Sequence, residues 1–430
     1  MSAEYVSGNI TGEKQWELFN TKMLDSTNQG FYKQALDDGT IINPHKSLAD
    51  HALLCEVLIE LSETTNNTSY LDTAEKLVPL IEHFKLANGG YRSYLRSDWN
   101  PTSTPQDSYV QLPMMSLVGK MYAKLYMVTQ NNTYLTRAEE VMLVIQTYFY
   151  DSVHDCYYQV LTTELEATDY LRISGFYGYY TDALLMMYQV TENLNYVEQG
   201  VQVFNDLINV AWVEDYEYFF QYLDTNNTPY LGYPSIFALN EQLVISESLL
   251  KYAGILPNTT YSALGVKIIN STFTHGRDPS MSGNYYPEKF YASFSPDDGM
   301  IFGTEQYVMV QILVFRNLLR LIDLNITLTA DQNKFLDDAY YNLDNFIGKK
   351  SNLILSEPTN PIGYVTSRIY SLTVGVVILG LLDMEAHNYT VDPYIYTLSI
   401  PISIDFIPSL GAIILVGMMV MISKKRRPRM

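Results

Sequence analysis

Hydrophobic residues recur every three or four positions through most of the chain, which predicts a mainly helical protein. Two kinds of helix alternate. One kind is apolar almost all round, as in LADHALLCEVLIELSE and MMSLVGKMYAKLYMVT, and the other is amphipathic, as in LDTAEKLVPLIEHFKL. A helix that is apolar on every side is buried, and an amphipathic helix covers it. The pattern therefore predicts an inner and an outer layer of helices.

A tyrosine-containing segment recurs between the two kinds of helix. The segments TTNNTSYLDTAEKL, TQNNTYLTRAEEV, TENLNYVEQGVQV and LPNTTYSALGVKI align on Tyr70, Tyr134, Tyr196 and Tyr261, at spacings of 64, 62 and 65 residues. A Thr or Asn in each segment is suited to cap the second helix. Two more hairpins are predicted after residue 300, and the region around Trp16 supplies the last outer helix. The sequence thus predicts six helical hairpins.

A second repeat connects the hairpins. Segments such as GFYKQALDDGT, CYYQVLTTELE and YFFQYLDTNNT begin with aromatic residues 60 to 66 positions apart, namely Phe31, Tyr91, Tyr157, Phe219 and Tyr285. Alternating aromatics and Asp-Asp-Gly turns predict short β-hairpins. The main alternative, an open tetratricopeptide-like solenoid, has a unit of about 34 residues with short turns throughout. Because every second connection here is long, we predict an all-α fold, a closed (α/α)6 toroid over residues 1–400.

The end of the chain has a different pattern. Residues 406–422 read FIPSLGAIILVGMMVMI without a charge, which is about the minimum length of a transmembrane helix. A basic tail at 424–430 follows and is expected in the cytoplasm. We therefore expect an extracytoplasmic toroid, a linker at 401–405 and one transmembrane helix at 406–423 that places the protein in the cell membrane. The apolar run at 372–382 is too short to span and is expected to be a core helix.

Potential glycosylation sites favour export. Nine Asn-x-Ser/Thr sequons are present, at Asn9, Asn66, Asn67, Asn131, Asn226, Asn258, Asn270, Asn325 and Asn388. The N-terminal residues show neither a basic region nor an apolar stretch of the signal-peptide kind. We expect either that a leader was removed or that the chain inserts through its C-terminal segment.

Composition narrows the possible partners. The 47 acidic and 27 basic residues give a formal net charge of -20, which excludes nucleic acid as a partner. A 47% share of hydrophobic residues excludes intrinsic disorder.

The cysteines and histidines predict neither disulfides nor a metal site. Cys55 and Cys156 indicate no disulfide framework. The six histidines form no cluster with metal-ligand spacing, so we predict no metal and no other cofactor.

The arrangement QGFYKQALDDGTIINPHKSLADHALL, followed by the hairpin with NNTSYLDTAEKL, resembles the six-hairpin glycosidase superfamily and its relatives of the N-acylglucosamine 2-epimerase type. The resemblance covers nearly all of residues 1–400. It implies an (α/α)6 toroid that acts on carbohydrates, with its site in the funnel at the inner-helix ends. The catalytic histidines of the epimerases are not matched, since only His45 and His51 stand near the start of an inner helix. The segment beginning IPSLG also resembles C-terminal anchoring signals of archaeal surface proteins.

Polar residues at the predicted inner-helix starts form the candidate site. The candidate catalytic acids are Asp50, Asp107, Asp182, Glu241 and Glu305. The candidate substrate-binding residues are His51, Trp99, Gln111, Tyr177, Asn240, Gln306 and Arg368. Glycoside hydrolysis uses two carboxyl groups, one protonated and one ionised. Acids at helix starts also serve as caps, and aromatics on the connecting loops also pack the hairpins, so both interpretations stay open.

The sequence leads to three functional hypotheses. The first is a membrane-anchored, extracytoplasmic glycoside hydrolase or related sugar isomerase that uses these acids, with a glycan as ligand and the lipid bilayer as partner. The second is a non-catalytic glycan-binding or structural protein on the same fold. The third is a helical-repeat scaffold for other proteins.

Overall fold

The computed structural model describes residues 11–36, 38–104, 108–168, 171–230, 237–256, 259–276, 293–294, 301–302, 308–337 and 368–387. Twelve α-helices lie within these ranges. The inner helices are α2 Leu48–Thr65, α4 Leu112–Thr129, α6 Gly175–Thr191, α8 Leu239–Ile255, α10 Val308–Asp323 and α12 Ser371–Ala386. The outer helices are α1 Gly12–Met23, α3 Thr68–Glu82, α5 Asn132–Val144, α7 Leu194–Ala211, α9 Thr259–His275 and α11 Ala330–Asp337. A π-helical turn at Ile145–Phe149 extends α5.

The inner helices form a closed ring. Each contacts the next, and α12 contacts α2, while every outer helix from α3 to α11 packs on the inner helix that precedes it. Helix α1 closes the outer layer by packing on α12. Its Trp16, Phe19 and Met23 are buried, and the Gly12 amide donates to Glu385 Oε1 at 2.9 Å. The prediction of an (α/α)6 toroid closed by the Trp16 region is confirmed.

The hairpin turns follow one design. Three inner helices end at a residue in the left-handed conformation, Asn66, Gln130 or Glu192. An asparagine follows each one, and its side chain caps the outer helix by accepting from the backbone amide two residues later, at Asn67, Asn131 and Asn193. The predicted caps are confirmed, and they make the turns between the helices very short.

The repeat tyrosines link neighbouring hairpins. The Tyr70 hydroxyl donates to Glu13 on α1 at 2.8 Å, and the Tyr134 hydroxyl donates to Glu75 on α3 at 3.0 Å. Each tyrosine thus reaches the outer helix of the preceding hairpin. The repeated segment thus has two structural roles. Its asparagine caps the outer helix, and its tyrosine bonds to the neighbouring hairpin.

Short strands join the loops at the start of the inner helices. The sixteen strands among the described residues are β1 Gln34–Leu36, β2 Ile41–Asn43, β3 Lys46–Ser47, β4 Tyr94–Leu95, β5 Val110–Gln111, β6 Tyr150–Asp151, β7 Cys156–Tyr157, β8 Val160–Leu161, β9 Arg172–Ile173, β10 Trp212–Val213, β11 Tyr218–Phe219, β12 Tyr222–Leu223, β13 Phe237–Ala238, β14 Ser293–Phe294, β15 Ile301–Phe302 and β16 Arg368–Tyr370. Strands β1 and β2 pair antiparallel on either side of the predicted Asp-Asp-Gly turn, which confirms that hairpin. The pairs β6–β7 and β10–β11 are also antiparallel hairpins, but they begin before the predicted segments. Tyr285 lies outside the described residues.

Most of the strand pairs join two different loops, each of which connects an outer helix to the next inner helix. Strand β3 pairs with β4, β5 with β8, β9 with β12 and β13 with β14, all antiparallel. Strand β16 pairs with β1, with Gln34 opposite Tyr370, and this pairing joins the last loop to the first. These ladders therefore link the inner-helix starts to one another.

The predicted core helix at 372–382 lies inside α12, where Val374, Val377 and Ile378 are almost fully buried. Residue contacts divide the chain into two units, Met1–Pro393 and Tyr394–Met430. None of the helices in the described ranges is both long and apolar enough to cross a membrane. The span predicted at 406–423 lies outside those ranges.

Candidate active site

The predicted site residues lie at different levels of the toroid. Asp50 and His51 are in the first turn of α2, and Asn240 and Glu241 are in the first turn of α8. Asp107, Glu305 and Gln306 lie outside the described residues, and for Arg368 only the backbone in β16 is described. The expectation that Asp182 opens its helix is wrong, because α6 begins at Gly175 and places Asp182 two turns in.

Among the described candidate acids, Glu241 is the one with the highest pKa. Burial raises its pKa to about 8, against a small opposing effect of the Gln221 amide, which donates to Oε1 at 3.4 Å. Its other oxygen, Oε2, is buried without a hydrogen-bond partner among the described residues. A carboxyl in this state is protonated at neutral pH and is able to give up a proton.

Glycine places Glu241 against the neighbouring helix. A Cβ on Gly175 would lie 2.4 Å from Glu241 Cβ and 2.9 Å from its Cα. The first turns of α6 and α8 therefore meet at backbone distance, and Gly175 covers one side of Glu241, which as a whole residue is partly exposed. This contact contributes to the desolvation that raises the Glu241 pKa.

The Asp50 carboxylate supports the residue that caps α2. Ser47 is the N-cap of α2, accepts from the Asp50 amide at 3.3 Å and donates its hydroxyl to Asp50 Oδ1 at 2.8 Å. Burial raises the pKa of Asp50 to about 7, although the Ser47 hydrogen bond and the charge of Lys33 oppose the shift. The capping interpretation therefore accounts for its position. Asp50 also lies on α2, the third inner helix round the ring from α8 in either direction.

His51 and Tyr177 fix the connecting loops. His51 Nδ1 donates to the Ser47 carbonyl at 2.7 Å, and its Nε2 accepts from the Phe31 amide at 3.1 Å. The Tyr177 hydroxyl donates to the Tyr157 carbonyl at 3.1 Å. Gln242 makes two such bonds to the Phe219 backbone, each 2.9 Å.

These three side chains share one position, nineteen residues before a repeat tyrosine, and each bonds the leading aromatic of its own loop. In the second repeat the position is Met115, which cannot make this bond. Burial lowers the pKa of His51 to about 4, so its ring is neutral. The polar atoms of His51 and Tyr177 are thus used in holding the loops.

The remaining candidates, Trp99, Gln111 and Asn240, are all partly exposed, and Trp99 also packs between two loops. Trp99 donates its indole N–H to the Asn28 carbonyl at 2.7 Å and stacks on His83 at 5.0 Å, which ties the second loop to the first. Gln111 is the N-cap of α4 but makes no capping bond with its side chain. Gln111 and Asn240 are both partly exposed. Their amides are therefore accessible to a ligand at the inner-helix starts.

Charged residues also surround the toroid axis at the middle of the inner helices. We call this group the axial charge cluster; its members are Glu56, Glu60, Lys120, Lys124, Asp182, Glu247, Lys251, Arg316, Arg320 and Asp383. Lys120 bridges Glu56 at 2.8 Å and Asp182 at 2.7 Å. Lys251 bridges Asp182 at 2.8 Å and Glu247 at 3.0 Å.

Arg316 completes the chain of ion pairs by contacting Glu247 at 2.8 Å and Asp383 at 2.9 Å. All six inner helices contribute to the cluster. Burial opposes ionisation there, but the neighbouring cations outweigh it and lower the pKa of Glu56 and of Glu247 to about 2. Glu56 and Glu247 are therefore ionised at neutral pH.

The sequence carries a signal for this cluster that the search of helix starts missed. Glu56, Lys120, Asp182 and Glu247 each lie fourteen residues before a repeat tyrosine. A charge at one fixed position of four apolar helices indicates a polar axis. Among the predicted site residues, only Asp182 belongs to the cluster.

A cavity of about 450 Å³ adjoins the axial charge cluster. It is lined by the C-terminal halves of the inner helices, on the side of the hairpin turns. Burial, followed by the charges of Glu241 and Glu247, raises the pKa of Tyr179 on α6 to about 12. Within the described ranges, no group of three His, Cys, Asp or Glu residues is placed to hold a metal ion.

The closed double ring of helices defines a six-hairpin (α/α)6 toroid. Residues 20–244, just over half of the chain, match the profile of glycosyl hydrolase family 76. The chain belongs to that family. No curated protein matches it significantly.

Solved structures share the fold at low identity. D-mannose isomerase matches with a TM-score of 0.74 and 14% identity, over 90% of this chain and 100% of that one. Cellobiose 2-epimerase from Bacillus thermoamylovorans matches with a TM-score of 0.72 and 12% identity, over 87% and 98%. An inactive α-1,6-mannanase from Salegentibacter sp. HEL1_6, with two consecutive aspartates replaced and α-1,6-mannotriose bound, matches with a TM-score of 0.59 and 14% identity, over 87% and 98%.

Proposed function

We propose that the protein is a glycoside hydrolase acting on mannose-containing glycans, with Glu241 as the general acid. The protonation of Glu241 carries the proposal. Hydrolysis of a glycosidic bond needs a carboxylic acid that stays protonated near neutral pH and donates to the leaving oxygen. Glu241 has a pKa of about 8 and an oxygen with no partner among the described residues.

A second, ionised carboxylate is required within about 5 to 10 Å of the acid. Asp50 is poorly suited, because its carboxylate accepts from the capping hydroxyl of Ser47 and it lies three inner helices away from α8. Glu305 is our candidate, since it immediately precedes α10, the ring neighbour of α8. Asp107 remains a candidate on the loop before α4. Both assignments are sequence-based.

Mannose is proposed as the sugar because of the family and the similar structures. The family is that of glycosyl hydrolases, and two of the similar structures are a mannose isomerase and an α-1,6-mannanase with a mannotriose bound. Partly exposed Gln111 and Asn240 are neutral hydrogen-bonding groups, which suit a neutral sugar.

Glycan binding without turnover is the second candidate function, and one observation favours it. The inactive mannanase variant lacks two consecutive aspartates. Among the matched residues 20–244 of this chain, the sequence has one such pair, Asp37 and Asp38, and it does not precede an inner helix. Asp38 is exposed and accepts from the Thr40 amide in the turn after β1.

A panel of α-mannooligosaccharides and other neutral and uronate-containing oligosaccharides distinguishes the two candidates. Wild type, Glu241→Gln and Asp50→Asn are assayed for sugar release, with Glu198→Gln on the exposed face of α7 as the matched control. We expect wild type and Glu198→Gln to hydrolyse an α-mannoside and Glu241→Gln to lose about 100-fold or more. Binding without release by wild type would support the glycan-binding function instead.

We also propose that residues 406–423 anchor the toroid outside the cell membrane. The uncharged segment and the basic tail support this, and the six sequon asparagines within the described ranges are all exposed. Two of them, Asn67 and Asn131, also cap helices, so their recurrence has a structural reason as well. In alkaline extraction of membranes the full-length chain should stay in the pellet, and Ile414→Arg/Val416→Arg should release it. Release of both proteins would count against an anchor.

A further inference from the structure

The cavity on the toroid axis lies at the opposite end of the inner helices from Glu241. Its floor is formed by Glu56 and Lys120, whose side chains are only 5% and 11% exposed. Its mouth lies at the helix C-termini, where Thr64, Gln189 and Gly254 are exposed. The cavity therefore opens on the face that carries the hairpin turns, and we call it the turn-face pocket.

Stability alone does not explain this pocket. Taking charges out of water is costly, and well-packed apolar side chains of similar volume usually stabilise a core as well as buried ion pairs do. Most of the interior among the described residues is built in that way. On the axis, however, the chain retains charged residues on all six inner helices and leaves about 450 Å³ unfilled, a volume within the range of small-molecule sites.

The chemistry of the lining indicates the kind of ligand. Five acidic and five basic side chains line the pocket, so it has no formal net charge, and a charged ligand would have to break existing ion pairs. Hydroxyl groups are able to donate to the carboxylates and accept from the cations at the same time. The Arg320 Nε is buried without a hydrogen-bond partner among the described residues. Leu185, Leu379 and Leu382 supply apolar contact for the C–H groups of such a ligand.

We propose that the turn-face pocket binds a neutral polyhydroxylated molecule of mono- or disaccharide size. This site is separate from the one proposed around Glu241. Its existence does not depend on whether the protein hydrolyses glycans.

The test measures binding of D-mannose, D-glucose and myo-inositol to the full-length protein by isothermal titration, in a detergent that carries no sugar. Gln189→Trp fills the mouth of the pocket without removing a charge, and Leu143→Trp, on exposed α5, is the matched control. We expect Gln189→Trp to weaken one binding event about tenfold or more and Leu143→Trp to leave it unchanged. Equal binding by both variants would overturn the proposal.

Lysine acetylation followed by mass spectrometry locates the bound molecule. A sugar in the turn-face pocket should protect the partly exposed Lys251 and leave the exposed Lys14 reactive. The protection should persist in Glu241→Gln, which separates this site from the proposed active site. Absence of protection by any of the three polyols, or protection by inorganic phosphate in their place, would refute a neutral-sugar pocket.

Discussion

At the scale of residues, the toroid contains a buried ion pair that is present in some of its repeats and replaced by uncharged residues in another. Lys46 Nζ lies 2.8 Å from Asp25 Oδ2, and neither side chain is exposed. One hundred and twenty-six residues later, Arg172 pairs with Asp151 at 2.9 Å in the same repeat positions. The second repeat has Val110 and Gly89 there. The loops can thus be joined with or without charges.

We predict a non-additive response when this pair is removed. Burial raises the pKa of Asp25, but hydrogen bonds from Lys46 and Asn28 outweigh it and lower that pKa to about 2. Lys46→Met leaves a buried carboxylate unpaired and should lower the free energy of unfolding by about 3 to 5 kcal/mol. Lys46→Met/Asp25→Asn should recover more than half of that loss. Urea denaturation measures both, and a double variant no more stable than the single one would contradict this account.

At the scale of elements, the close contact between α6 and α8 links packing to the candidate site. Gly175 is required there because a side chain would meet the backbone of Glu241. Near the end of α8, a methyl group on Gly254 would have only Leu324 Cδ2 close by, at an ordinary contact distance of 3.6 Å, so a side chain is tolerated there. The two glycines therefore form a matched pair for testing how closely these helices approach.

Gly175→Ala should destabilise the protein by about 1 to 3 kcal/mol, because overpacking forces the two helices apart. Gly254→Ala should be neutral or stabilise by up to about 1 kcal/mol, since alanine favours a helix. Thermal unfolding of the two variants compares these effects. If Gly175→Ala were as stable as wild type, the close approach of α6 to Glu241 would be wrong.

The elements that the sequence predicted correctly are those with local signals. Tyr70 and its three counterparts mark each turn, and the caps Asn67 and Asn131 are read directly from the chain. The pairing of β3 with β4 was not predicted, because it joins residues almost fifty positions apart through strands of only two residues. Such short strands carry too few residues for an alternating pattern to be visible.

The candidate site was predicted less well than the fold. Asp50 and His51 were predicted as site residues because they lie at a helix start. In the structure, however, Asp50 accepts from the capping hydroxyl of Ser47, and His51 holds a connecting loop. Glu241 differs because it packs against Gly175, and a contact between residues sixty-six positions apart cannot be read from local sequence. Glu56 and Lys120 lie in the middle of their helices, and their shared position is visible only when the repeats are aligned.

At the scale of the whole molecule, the axial charge cluster joins all six inner helices. Lys120 is central, since it contacts carboxylates on both neighbouring helices. The pKa values of Glu56 and Asp182 are lowered despite burial, because Lys120 and further lysines lie beside them. A carboxyl with a lowered pKa stabilises the fold above its unfolded pKa and loses that effect as the pH falls through the folded value. The contribution of the cluster should therefore persist at pH 7 and disappear in acid.

Lys120→Met should lower the free energy of unfolding by about 3 to 5 kcal/mol at pH 7, because two buried carboxylates lose their shared cation. The difference from wild type should shrink as the pH falls below about 4, where both carboxyls of the variant become protonated. Lys14→Met, in an exposed pair with Glu17, should change stability by less than about 0.5 kcal/mol. Urea denaturation at several pH values measures all three proteins. An effect of Lys120→Met as small as that of Lys14→Met would show that the cluster does not hold the ring together.

The central claim is that Glu241 donates a proton to a glycosidic oxygen, and the pH dependence of kcat/KM for an α-1,6-mannooligosaccharide tests it most directly. Because burial raises the pKa of Glu241 to about 8, activity should depend on its protonated form and fall as the pH rises above that value. Glu241→Gln should lose about 100-fold or more and show no such decline. Hydrolysis that is unaffected by the substitution, or no hydrolysis at any pH, would contradict the claim.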